Sequence, residues 1–197
     1  MIRITLALAL LAGPAFGAAG TDPDWPCIQR KQPHLSMGQV WTGPIPDDES
    51  LALARDPDIA RLAERLEQRR LPIEEAETEI AEFGAEASDT HLVALMQAIF
   101  DRIDSDRSAL IAGIARYGRS QVDLSERIEE RRARMAELEA ADPPDFDAID
   151  AEEEALDWDM RVFTDRQQSL TYVCETPVIL EQRLFALGRA IGAHRKQ

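Results

Sequence analysis

The sequence predicts an all-α protein: a small helical bundle with a long antiparallel helical hairpin. Three observations support this prediction. Apolar residues recur at alternating steps of three and four from Val93 to Ile191, a proline pair interrupts that repeat near its middle, and residues typical of helix starts precede it. A repeat of this kind places one apolar stripe along each of two helices that fold back on each other.

The short helices are expected within residues 48–88. Asp47 precedes the first, and Asp56-Pro57-Asp58 supplies the second with an N-cap, a proline at the first helical position and an acid in the first turn. A third runs from Ile73 to Phe83. These helices are predicted to pack on the hairpin, which occupies residues 89–197.

The predicted contact stripe, called the seam, continues through both long helices. On the first helix it comprises Val93, Met96, Phe100, Ile103, Arg107, Leu110, Ile114, Tyr117, Gln121, Leu124, Ile128, Arg131, Met135 and Leu138. On the second it comprises Phe146, Ile149, Glu153, Leu156, Met160, Phe163, Gln167, Leu170, Cys174, Pro177, Glu181, Leu184, Gly188 and Ile191. The chain is expected to turn at residues 141–145, where Pro143 and Pro144 cannot continue a helix.

The register of the hairpin follows from a tight turn at this place. Pairing Leu138 with Phe146 sets Arg131 opposite Glu153, and we interpret these two as a register-setting ion pair. The same register sets Tyr117 opposite Gln167. The alternative is that patterns of threes and fours match in many registers by chance.

Cys27 and Cys174 are the two cysteines of the chain, and in an oxidising compartment they are expected to form one disulfide. Cys27 belongs to an extended arm, residues 20–47, which contains Pro and Trp and lacks helical periodicity. Near Cys174, Thr176-Pro177 either kinks the second helix or begins a new one; we expect a kink.

The first 19 residues resemble a secretory signal peptide, with Arg3, a short apolar run and small residues before the cleavage point. The mature protein is therefore predicted to be periplasmic or secreted, with no membrane span. The full chain has 37 acidic and 22 basic residues, and its net charge of −15 argues against binding of nucleic acid.

The half of the hairpin near the turn is polar outside the seam, and a projecting coiled coil is expected there. Its apolar exceptions are Val122, Trp158 and Val162. Trp158 is either covered by residues 28–46 or available to a partner, since tryptophan is frequent among binding hot spots. The acidic residues near the turn, including Asp150 and Glu154, are predicted to contribute to such an interaction surface.

The sequence contains no motif typical of a catalytic site or a phosphate-binding loop, so no enzymatic activity and no cofactor are predicted. His91 and His194 lie near the open end of the predicted hairpin. With Asp89 or Glu181 they are a possible, weak metal site, and we assign no metal ligand.

The expected function is that of an exported, non-enzymatic protein that acts through protein–protein contacts in the cell envelope, as a scaffold, adaptor or assembly factor. Its partner is another envelope protein, and a homodimer is a further possibility because a long seam can also pair between chains. One alternative is a periplasmic protein that binds a metal ion or a small cationic ligand, and another is a periplasmic chaperone.

Overall fold

The computed structural model describes residue 22 and residues 24–196, which form six helices. They are α1 (Met37–Val40), α2 (Asp48–Leu53), α3 (Pro57–Glu67), α4 (Ile73–Glu86), α5 (Asp89–Glu139) and α6 (Phe146–Ala193). Helices make up 77% of the described residues and no strand occurs among them, which confirms the predicted fold class. The predicted signal peptide, residues 1–19, lies outside the described residues.

The helix starts follow from side chains that satisfy free backbone N–H groups. Asp47 accepts a hydrogen bond from the Ser50 backbone N–H at 2.9 Å, and Asp56 caps α3 with Pro57 at its first position. Ser88 caps α5 and Asp145 caps α6. The short helix α1, in the arm where the sequence shows no helical period, was missed because four residues are too few to display one.

The hairpin consists of α5 and α6, which are 51 and 48 residues long and therefore each span about 70–77 Å. Residues 140–145 connect them, and the Asp142–Pro143 peptide is cis. The helix α6 continues through Pro177, so no new helix begins there.

The body of the protein forms at the open end of the hairpin. There α2 and α3 pack on α5, while α1 and α4 pack on α6. The core residues that are almost fully buried come from four helices: Leu66 on α3, Ile80 on α4, Leu92, Leu95, Met96, Ile99 and Ile103 on α5, and Leu184, Leu187 and Ile191 on α6. Removing these side chains from water is the main favourable contribution to folding of the body.

Arg183 fixes the end of α3 to α6. Its guanidinium donates to the Leu66 carbonyl at 2.6 and 2.8 Å and to the Leu71 carbonyl at 2.9 Å. The Leu66 carbonyl lies in the last turn of α3, where the helix cannot supply donors itself, and the Leu71 carbonyl lies in the segment that follows. Burial lowers the pKa of Arg183, but an arginine remains protonated at neutral pH.

The N-terminal arm runs along α5 toward the open end of the hairpin. Its disulfide joins Cys27 to Cys174 with an S–S distance of 2.03 Å and a Cα–Cα distance of 5.6 Å, which is the predicted pairing. On the chain-entropy account, closing this 147-residue loop stabilises the fold by roughly 5 kcal/mol. Beyond Cys27, the Gln32 carbonyl accepts from Arg107, and the Leu35 backbone N–H donates to Asp104 at 2.7 Å.

The arm then enters the body, where Leu35, Val40 and Trp41 are buried. The Trp41 indole N–H donates to the Pro44 carbonyl at 2.9 Å. The described residues of the arm therefore pack against the body.

Two glycines allow the arm to approach the hairpin closely. A Cβ atom on Gly188 would lie 2.5 Å from the Val40 carbonyl oxygen, and one on Gly118 would overlap the Asp24 carbonyl oxygen and lie 2.9 Å from Pro26 Cδ. The obstacle is backbone or a proline ring at both places, so it cannot turn away. At these two positions the helix surface must lack a side chain.

Gly188→Ala should destabilise the protein by about 1–3 kcal/mol, because the added methyl group overpacks the contact with the Val40 carbonyl. Gly113→Ala is the matched control, since the nearest atom to a Cβ there is Arg116 Nη2 at 3.8 Å. Helix propensity alone should make that variant more stable by about 0.5–1 kcal/mol. Urea denaturation followed by circular dichroism measures the free energy of unfolding of both variants. A change of the same sign in both would contradict the close approach of the arm at Gly188.

Arg183→Met should lower the free energy of unfolding by about 1–3 kcal/mol, because buried carbonyls at the end of α3 lose their donors. Arg189→Met is the control on the same helix, since Arg189 is exposed and stacks on Phe185. Its effect should stay below about 1 kcal/mol. The same denaturation experiment compares them, and a harmless Arg183→Met would show that the contact to α3 is dispensable.

Candidate interaction surface on the distal hairpin

The packing of the body and the arm stops well before the turn of the hairpin. The body core ends at Ile103 on α5 and at Leu180 on α6. The arm reaches farther, to Arg119, whose Nη1 lies 2.6 Å from Asp24 Oδ2. We call residues 122–162 the distal hairpin; within the described part of the chain, its two helices pack on each other.

The seam on α5 is located where the sequence predicts it. Along the distal half, its inward residues are Gln121, Leu124 and Ile128, which are buried, and Arg131, Met135 and Leu138, which are half-buried. The intervening residues of α5 are exposed. This helix therefore presents one continuous stripe to α6.

Between Phe146 and Leu170, the seam on α6 differs from the prediction at every second position. Phe146, which was predicted to pair with Leu138, is exposed, as are Glu153, Met160 and Gln167; the inward places of the last three are taken by Glu152, Asp159 and Arg166. Ile149, Leu156, Phe163 and Leu170 face inward in both arrangements. The residues shared by both arrangements are seven positions apart, and the inward residue between two of them can lie either three or four positions after the first. The two choices correspond to different rotations of α6 about its axis.

The partner predicted for Arg131 is accordingly corrected. Arg131 Nη1 lies 2.9 Å from Glu152 Oε1, and its Nε lies 2.8 Å from Asp159 Oδ2, whereas Glu153 is exposed. Arg127 Nε adds a bond to Asp159 at 3.2 Å. These hydrogen bonds to carboxylates raise the pKa of Arg131 further above neutral pH. The physical reason for the correction is that one arginine placed between Glu152 and Asp159 pairs with both.

Further polar contacts join α5 and α6 along the hairpin. The Tyr117 hydroxyl donates to the Arg166 carbonyl at 3.2 Å, rather than bonding the Gln167 side chain expected opposite it. Gln121 Nε2 donates to the Phe163 carbonyl, also at 3.2 Å. Arg107, which is buried, lies 3.5 Å from Glu181 Oε2.

A surface groove of about 680 Å³ lies beside this ion cluster, on the flank of α6. Trp158, whose side chain is 63% exposed, forms part of its wall. The other lining residues are Arg131, Asp150, Ala151, Glu153, Glu154, Ala155, Asp157, Asp159 and Arg161. The structure thus brings together three of the residues predicted for the interaction surface, which are Trp158, Asp150 and Glu154.

Val122 and Val162 do not line this groove. Val122 is 46% exposed on α5, and Val162 is half-buried on α6. The described residues of the arm do not cover Trp158. The interpretation that residues 28–46 fold over this side chain is therefore wrong. The reason is that the disulfide holds Cys27 beside Cys174, and from there the chain runs away from the turn.

The carboxylates of the groove are not neutralised by the described part of the protein. Asp150, Glu153, Glu154 and Asp157 form no ion pair there, in contrast to the inward Glu152 and Asp159. The distal hairpin as a whole carries fifteen acidic residues and five arginines. Most of the net negative charge of the chain is therefore concentrated at this end.

The histidines considered for a metal site have other contacts. His91 Nδ1 lies 2.7 Å from the Ser88 hydroxyl oxygen at the start of α5, and His194, which ends α6, lies against Gly84. Within residues 24–196, no three His, Cys, Asp or Glu side chains are grouped so as to hold a metal ion.

One histidine contributes to the arm contact in a way that the sequence analysis missed. His34 Nδ1 lies 2.9 Å from Asp104 Oδ2 and 3.1 Å from the Ser108 hydroxyl. The helical spacing of Asp104 and Ser108 places both on one face of α5, but no signal in the sequence pairs that face with the arm.

Comparison of the chain with protein-family models, curated proteins and solved structures finds no match. None of the described helices has a stretch long and apolar enough for a membrane crossing.

Asp159→Ala should destabilise the distal hairpin by about 1–3 kcal/mol, because it leaves Arg127 and Arg131 without a shared buried acceptor. Faster amide hydrogen exchange in residues 122–162 is the expected result. Asp157→Ala removes the same charge from an exposed carboxylate outside the ion cluster and should change exchange little. If amide hydrogen exchange in residues 122–162 is equally fast in both variants, the ion cluster around Asp159 does not hold the two helices together.

Proposed function

We propose that this protein is an exported, non-enzymatic adaptor or scaffold that binds another protein of the cell envelope through its distal hairpin. The observation that carries the proposal is the exposed Trp158 in a groove on a two-helix projection that the body and the described arm leave uncovered. Tryptophan is enriched at interaction hot spots, so an exposed tryptophan set in a groove favours a contact surface for a partner.

The construction of the hairpin suits a projecting arm. The body, the disulfide and the N-terminal arm hold the near half of α5 and α6, and the seam with its ion cluster continues the same two helices outward. From Gln121 to Leu138 the helix rises by about 26 Å. A partner bound at Trp158 would therefore contact the protein at a distance from its body.

The expected location supports an envelope role. A disulfide that pins a proline-rich arm is typical of oxidising compartments such as the periplasm. The signal-like first 19 residues of the sequence point to the same compartment. Both are consistent with a partner in the envelope.

Site-specific photo-crosslinking in the cells that produce the protein tests this function. A photo-reactive residue at Ala151, in the groove, should give one dominant crosslinked protein, whereas the same residue at Ala52, on α2 of the body, should not. Trp158→Ala should reduce the crosslink at Ala151 by about ten-fold, a loss typical of a hot-spot aromatic, without loss of helicity.

Tyr172→Ala is the matched control for the tryptophan variant. Tyr172 is an exposed aromatic residue on the same helix, outside the groove. Its replacement should leave the crosslink at Ala151 unchanged. No crosslink at Ala151, or equal loss in both variants, would contradict binding through the distal hairpin.

A further inference from the structure

We infer that the groove around Trp158 binds a basic segment of a partner protein, in which an arginine or lysine side chain stacks on the indole ring while the neighbouring carboxylates pair with its charge. This inference rests on the proposed function and adds the chemistry of the partner. It follows from three features of the groove: carboxylates that form no ion pair with the described residues, the exposed face of the indole ring, and the shape of the groove.

The first feature is a division of the carboxylates on α6 into two sets. The inward set, Glu152 and Asp159, is saturated by arginines of α5 at distances of 2.8–3.5 Å. The outward set around Trp158 has no partner among the described residues. The two arginines that line the groove do not pair with the outward carboxylates. Arg131 binds the inward set, and Arg161 forms no ion pair in the described part of the chain.

The second feature is the face of the Trp158 ring. On the same helix, the Arg189 guanidinium lies over the Phe185 ring at 5.1 Å from the centroid, so that this aromatic residue has a cation from its own helix four residues later. The residue four positions after Trp158 is Val162, which carries no charge. No cation of the described residues lies over the Trp158 indole ring. Tryptophan is the aromatic side chain that attracts cations most strongly.

The third feature is the combination of small and charged side chains in the groove. Ala151 and Ala155 leave room along α6 beside Trp158, and the carboxylates of Asp150 and Glu154 border that room. Its volume of about 680 Å³ exceeds the size of one side chain, so a short peptide segment fits better than a lone ion.

Charge decides between the candidate occupants. A second copy of this chain would bring another distal hairpin with fifteen acidic residues against the first, and like charges at close range cost free energy. Acidic proteins and anionic lipid surfaces are repelled for the same reason. A basic segment gains from both the carboxylates and the indole.

The test measures binding of a synthetic peptide in which arginine alternates with glycine and leucine, by titration calorimetry with the purified disulfide-bonded protein. The same peptide with citrulline in place of arginine is the ligand control. We expect binding of the arginine peptide and at least about five-fold weaker binding of the citrulline peptide. Trp158→Ala should weaken binding of the arginine peptide by about five-fold.

Two double variants with equal loss of charge separate the groove from general attraction. Asp150→Asn/Glu154→Gln removes two groove carboxylates and should weaken binding by about five-fold or more. Glu137→Gln/Glu139→Gln removes two carboxylates of α5 outside the groove and should leave affinity within about two-fold. Circular dichroism verifies that all variants remain helical.

Equal weakening in the two double variants, or unchanged affinity of Trp158→Ala, would overturn the inference, because the peptide would then be held by the overall negative charge. The crosslinking experiment keeps this result apart from a failure of the proposed function. A Trp158-dependent crosslink without peptide binding means that the partner is not basic, whereas the absence of a crosslink at Ala151 removes the function itself.

Discussion

The packing of α5 on α6 along one seam is the constraint on which the rest of the structure depends. The same two helices pass through surroundings of opposite character: an apolar body at one end and water at the other. In the body, Leu95, Ile99 and Leu184 are buried by neighbouring short helices. In the distal hairpin each helix packs, among the described residues, on the other helix alone, so one stripe can be apolar and the remaining surface must be polar.

The N-terminal arm determines how far along the hairpin the two long helices are covered before they enter water. It is fixed to the hairpin by the disulfide, by the bond between the Gln32 carbonyl and Arg107, and by its approach to Gly118. Up to that level the hairpin is covered on a second side, which explains why Ile111 and Ala115 on α5 are buried outside the seam. Between Gly118 and the turn, the described arm does not cover the hairpin. An apolar residue outside the seam therefore remains in contact with water there, and Trp158 is such a residue.

The sequence predicts those features that depend on local patterns. Caps at Asp47 and Asp56 identify helix starts, and the apolar repeat identifies the stripe on α5. The rotation of α6 was not predictable in this way, because a count of apolar residues favours Met160 over its neighbour Asp159. Burial of Asp159 becomes favourable once Arg127 and Arg131 are opposite, and that depends on a pairing across the turn. The path of the arm likewise depends on contacts between distant parts of the chain.

The rotation of α6 also sets the geometry of the candidate site. With the predicted seam, Trp158 would point directly away from α5; the observed seam turns it by about 50° toward the flank, at about 100° per residue. That turn makes Arg131 of α5 and Asp159 part of the groove wall beside the indole. The ion cluster therefore has two consequences: it joins the helices of the distal hairpin, and it holds Trp158 next to outward carboxylates that form no ion pair with any described residue. The surface that we assign to a partner is thus a product of the same contacts that keep the hairpin closed.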